Sequence, residues 1–175
     1  MVARHYKAIM IGILGLLIFG VTMAYVGYSQ TVYPLEKAIG YLQRSMSSPS
    51  PEIMLDYLVS VKPLIPKEGN PVWAFPTATT DFGLMQKDVD MMMDRLRTLS
   101  TLPRESEAFN TGLLDVRDEM VILEKQIIEA QPYVYVSFQN VVLSSIWIGV
   151  LMMIFTLMKR GQQKLKEYEK LEGGE

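Results

Sequence analysis

Residues 109–158 read FNTGLLDVRDEMVILEKQIIEAQPYVYVSFQNVVLSSIWIGVLMMIFTLM, and two apolar patterns meet inside them. In the first half Phe109, Leu113, Val116, Met120, Leu123 and Ile127 recur at intervals of 4, 3, 4, 3 and 4. That spacing holds one face of a helix against partner helices. A second row, Leu114, Val121 and Ile128, predicts a stripe broad enough for a helical bundle. After Pro132 the pattern changes. Residues 141–158 are eighteen in a row without a formal charge, long enough for a transmembrane helix. Residues 133–139 lengthen the run, and Lys159-Arg160 closes it. A bundle helix running into a membrane anchor is expected, with Pro132 punctuating the helix.

Toward the N-terminus, residues 8–27 form a second uncharged run, twenty residues long. A cleaved signal peptide is the competing reading, because Thr22 and Ala24 stand at suitable cleavage spacing. The run exceeds a signal core in length and its helical pattern continues beyond, so an uncleaved anchor is favoured. Arg4 and Lys7 precede the first run, and Lys159, Arg160, Lys164 and Lys166 follow the second. Basic residues stay on the cytoplasmic side, so both termini are expected there and the middle outside. Residues 29–131 hold ten basic and fifteen acidic residues, a net of −5, which suits the translocated side. Tyr25, Tyr28 and Tyr33 at one outer boundary, with Tyr133 and Tyr135 at the other, are placed like an interfacial aromatic belt.

Between the runs the helical period returns. Val32, Leu35, Ile39, Leu42 and Met46 extend the first helix past a bend expected at Pro34. Ser50 as N-cap and Pro51 at the first helical position open a short helix, 52–62, with Met54, Tyr57, Leu58 and Val61 inward. Pro63, Pro66, Pro71 and Pro76 keep residues 63–80 irregular. Thr80 or Asp81 opens a third helix bearing Phe82, Met85, Val89, Met92, Leu96 and Leu99, and a turn at residues 100–103 leads to the fourth. The expected fold is an all-α membrane protein, with two transmembrane helices flanking an extracytoplasmic antiparallel four-helix bundle. Its parts are a cytoplasmic N-terminus and first span (1–28), the bundle (29–131, with loop 63–80), the second span (132–158) and a cytoplasmic charged tail (159–175).

Chemistry is sparse. The chain has no Cys and one His, His5, beside Arg4 and Lys7. Thiolate chemistry, a Ser-His-Asp arrangement and a histidine metal site in the outer domain are therefore excluded. A net charge of −2 gives no reason to expect a nucleic-acid partner, and no N-glycosylation acceptor occurs. Met85, Met91, Met92 and Met93 offer thioethers, which suit Cu(I). Met85 and Met92 fall on the apolar seam, however, where methionine is an adaptable core filler. Three consecutive methionines also point around a helix and do not converge on one ion. No metal, cofactor or catalytic residue is expected. Asp88, Asp90, Asp94, Asp115, Asp118 and Glu119 interleave with Arg95, Arg97 and Arg117 as a solvated surface does.

Interaction signals are stronger. Ala8/Gly12, Gly20/Ala24 and Ser145/Gly149 are pairs of small residues four apart, which let helices approach closely in lipid. Gln139, Asn140, Ser144 and Ser145 add polar groups that need partners there. Trp73 and Phe75 lie in a loop at the membrane-proximal end of the bundle, where capping the core, headgroup insertion and a neighbouring subunit all compete for them. Ser145, Gly149, Trp73 and Phe75 are expected at contacts with other chains. The stretches Gly69-Asn70-Pro71-Val72-Trp73-Ala74-Phe75-Pro76, Thr80-Asp81-Phe82-Gly83-Leu84 and Pro132-Tyr133-Val134-Tyr135-Val136-Ser137 complete the picture. With the two-span architecture, they make the chain resemble the small helical accessory subunits of archaeal ammonia monooxygenase, a copper membrane enzyme. In that family the copper ligands belong to the larger subunits, so the resemblance implies no metal site here. The expected function is a non-catalytic accessory subunit of a membrane complex, with lipids and other integral membrane subunits as partners. The alternatives are an extracytoplasmic ligand-sensing module, whose seventeen-residue tail would require a separate transducer, and a copper chaperone.

Overall fold

Asp81 and Ser106 start helices for the same reason. The first backbone N–H groups of a helix lack intrahelical acceptors, and a short polar side chain just before it supplies one. The Asp81 carboxylate accepts from the Leu84 N–H at 3.1 Å, and the Ser106 hydroxyl accepts from the Phe109 N–H at 3.2 Å. The computed structural model describes residues 2–172, and side chains for residues 10–163. Its helices are α1 (Val2–Met46), α2 (Pro51–Val61), α3 (Phe82–Leu99), α4 (Glu107–Tyr135) and α5 (Phe138–Glu172), with no strand among the described residues. The side chains of Arg4, His5, Lys7, Lys164 and Lys166 lie outside those described.

Two compact units make up the chain, one of Met1–Ala24 with Phe138–Glu175 and one of Tyr25–Ser137. The second unit holds the core. Leu35, Ala38 and Leu42 of α1, Met54, Leu58 and Val61 of α2, and the apolar seams of α3 and α4 are buried together. Each such side chain removed from water contributes roughly 1.5–3 kcal/mol before the entropy of ordering it. Polar groups at the edge of this core find backbone partners, from buried Ser45 and half-buried Arg117. The Ser45 hydroxyl donates to the Met54 carbonyl at 3.1 Å, and the Arg117 guanidinium reaches the Ser48 carbonyl at 2.7 Å.

Four local expectations change. Leu114, Val121 and Ile128 do not widen the core face, because they are 58%, 37% and 49% exposed. They sit about 100° around α4 from Leu113, Met120 and Ile127, beyond the side that meets α1 through the Gln43–Glu124 hydrogen bond of 2.8 Å. Pro132 does not end α4, which runs to Tyr135 and breaks at Val136–Ser137. A proline deletes its own N–H, but its carbonyl still accepts, here from the Val136 N–H at 3.0 Å. The segment 63–80 is not wholly irregular, since Lys62–Leu64 and Ala78–Thr80 form 3-10 turns. Ser50 occupies the N-cap position without a side-chain cap, because its hydroxyl bonds the Glu52 carboxylate instead. Pro51 pre-sets the first turn there.

The first unit is built differently. Helical runs Met10–Met46 and Glu107–Gln163 are each long and apolar enough to cross a membrane, with best-window mean hydropathies of 2.1 and 2.4 and no part of those windows buried. Within this unit Gly20 lies against the Trp147 indole. A Cβ at Gly20 would stand 2.5 Å from Trp147 Cζ2, so only glycine leaves that room.

Candidate functional site

Met85, Met92 and Met93 are buried in the core, whereas Met91 is exposed on α3. The four sulfurs therefore do not line one accessible face. Among the described residues no three His, Asp or Glu side chains stand close enough together to hold a metal ion. Burial pushes the Asp88 carboxyl up, and the hydrogen bond from Ser50 leads the effects that lower that of Glu52. The Arg95–Glu119, Arg97–Asp94 and Lys62–Asp90 pairs are largely solvent-exposed, as surface ion pairs that add little stability are.

The aromatic loop is the most elaborated surface of the Tyr25–Ser137 unit. Gly69 adopts φ +100, a left-handed conformation that disfavours any side chain, and turns the chain away from Glu68. Asn70 then organises the loop. Its Nδ2 donates to the Thr77 carbonyl at 2.7 Å, and its Oδ1 accepts from the Val72 N–H at 3.0 Å and the Thr80 hydroxyl at 2.9 Å. The Phe82 N–H donates to the Gly69 carbonyl at 2.9 Å, closing the base. Gln86 of α3 ties down the preceding stretch by donating to the Lys62 carbonyl at 3.0 Å and the Ile65 carbonyl at 2.8 Å. This internal pairing holds an apolar tip outward: Phe75 is 85% exposed and Trp73 56%. Neither caps the core.

A contact with the end of α4 helps to place that tip. The Trp73 indole N–H donates to the carbonyl of Val136 at 3.2 Å, a carbonyl left over at the end of α4. The two segments border a groove of about 330 Å³ lined by Val72, Trp73, Ala74, Pro132, Tyr133 and Val136. Tyr133, Tyr135 and Val136 are themselves exposed. Neither Asn70 nor Gln86 stood out in the sequence. The available signal was Asn70 between Gly69 and Pro71, a combination in which the Asn side chain commonly closes a turn.

In the first unit, Ser145 is exposed and its hydroxyl turns back to the Val141 carbonyl at 2.8 Å. A Cβ at Gly149 would meet nothing within 4 Å, and the same holds at Gly12, whereas Gly20 is filled by Trp147. Of these glycines, then, Gly20 serves contact inside the chain, and Gly149 with Ser145 lies on an open face. Trp73 and Phe75 belong to one unit, Ser145 and Gly149 to the other. Comparisons with protein-family models, curated proteins and solved structures found no match.

Proposed function

We propose that this chain is a non-catalytic structural subunit of a multi-subunit membrane complex, of the kind its loop strings resemble in archaeal ammonia monooxygenase. In this reading the two apolar segments span the bilayer, the Tyr25–Ser137 unit is an antiparallel four-helix bundle outside the cell, and both termini are cytoplasmic. The observation that carries the reading is the row Leu114, Val121 and Ile128. These side chains recur every seven residues along α4 and, among the described residues, stay 58%, 37% and 49% exposed. A heptad of apolar side chains facing water is costly unless another helix packs on it. The open Ser145–Gly149 face supports the same reading in lipid, where small residues admit a neighbouring backbone.

Native mass analysis after gentle extraction from native membranes tests the assembly. Val121→Glu and Gly149→Leu each change a position exposed among the described residues, so both should leave the isolated protein within about 0.5 kcal/mol of wild type. Both should release it from its complex. A wild-type protein that emerges as a monomer under the mildest extraction overturns the subunit reading. Topology is tested by trypsin added outside sealed cells, which should cut within residues 63–80 at Lys67, before the uncharged tip, and spare everything after Met158. Cleavage of the tail from outside reverses the orientation.

A further inference from the structure

The aromatic loop has a second property that the subunit role does not use. From Gly69 to Thr80 there is no charged residue, between Glu68 on one side and Asp81 on the other. Residues 73–79 are all exposed, so this uncharged stretch includes the outermost part of the loop. A soluble surface of that composition around a nearly bare Phe75 has no reason to persist in water. The chain itself indicates what covers it. Trp73 is hydrogen-bonded to Val136, and two residues after Val136 begins α5, which carries the apolar run. The loop tip thus stands where the chain enters the apolar segment.

Resting on the spanning role proposed for that segment, we infer that residues 69–80 form an interfacial membrane anchor, with Trp73 and Phe75 seated at the headgroup level of the bilayer. Three features fit that depth and no greater one. Irregular backbone is not tolerated facing the hydrocarbon interior, but it is at the headgroups, where water still reaches it. Trp and Tyr concentrate at that level because their rings are apolar and their N–H or O–H groups need partners, and Tyr133 of α4 borders the same groove as Trp73. Pro71 and Pro76 carry no N–H, and the side chain of Asn70 engages the Val72 N–H and the Thr77 carbonyl, which lowers the cost of leaving bulk water. With no charge between residues 69 and 80, insertion draws on apolar burial and does not require anionic headgroups. The anchor fixes the tilt of the outer unit against the membrane at a second point, beside the helices themselves.

The chain has two tryptophans, so each can be made the sole reporter. Full-length Trp147→Phe protein, leaving Trp73, is reconstituted in phosphatidylcholine vesicles carrying bromine either high on the acyl chain or near its end. Trp73 emission should shift to the blue and be quenched most by the shallow bromines. Adding anionic lipid or salt should change neither result, Phe75→Asp should abolish the shallow quenching, and Phe75→Leu should keep it. The Trp73→Phe protein reports on the span through Trp147, which should be quenched by acyl-chain bromines whatever the loop does. Quenching of Trp147 with a Trp73 that responds only to aqueous iodide overturns the anchor and leaves the spans standing. That result transfers the tip to a protein partner. Loss of both lipid signals in protein that retains its helical circular dichroism overturns the spanning role and the anchor together.

Discussion

Leu123 and Leu143 lie twenty residues apart on consecutive helices, and one is buried while the other is 63% exposed. The difference is one of neighbours in the sequence, not of residue type. Around Leu123, on α4, apolar residues are interrupted by Asp118, Glu119, Glu124 and Lys125, so only one stripe can leave water and it does so against α1, α2 and α3. Around Leu143, on α5, no residue from 138 to 158 is charged, and apolar side chains outnumber Gln139, Asn140, Ser144 and Ser145 on a surface that no single stripe can hide. A helix that is apolar all round is buried in a large core or faces lipid. Among the described residues no part of the apolar window in that second run is buried. Periodicity therefore separates a helix that buries one face from one that leaves apolar side chains exposed, and the two halves of residues 109–158 differ in this way.

The contrast can be broken most forcefully at Leu123. Leu123→Ala should cost about 2–5 kcal/mol through lost transfer energy and the cavity left behind, read by chemical denaturation in detergent. Gly20→Leu comes next. It drives side-chain atoms into the space of Trp147 and should cost about 1–3 kcal/mol as overpacking does. Gly149→Leu on the open face should be close to neutral, which separates the glycine that packs inside the chain from the one that does not. Disulfide trapping between cysteines placed at 20 and 147 gives a second readout, lost if the two segments do not meet. The smallest effect belongs to Leu143→Ala, expected within about 0.5 kcal/mol in the isolated protein. Equal costs at 123 and 143 would mean that α5 is packed as α4 is, and the division between the two halves would fail.

The exposed row on α4 marks the limit of pattern reading. Leu114, Val121 and Ile128 stand one residue after Leu113, Met120 and Ile127, and in a list of apolar positions the two rows look alike. Which becomes core depends on where α1 lies. The Gln43–Glu124 and Glu36–Gln131 hydrogen bonds, of 2.8 Å and 3.3 Å, place it alongside the core row and leave the second row outside. Pro132 fails for a smaller reason. Proline disturbs the turn before it, so a helix already stabilised by packing continues one more turn before it ends.

Helix kind, the seams of α3 and α4, a cap at Thr80 or Asp81 and the existence of two long apolar segments are all readable in the sequence, and the structure chooses Asp81 as the cap. They arise from local propensities and from periods of a few residues, which the linear order preserves. The exposure of the second α4 row, the filling of Gly20 by Trp147, the emptiness beside Gly149 and the pinning of Trp73 to Val136 are different in kind. Each depends on two segments far apart in the chain meeting at a particular rotation. Helix rotation is set by the fit of whole faces against one another, and no stretch of sequence carries that information alone.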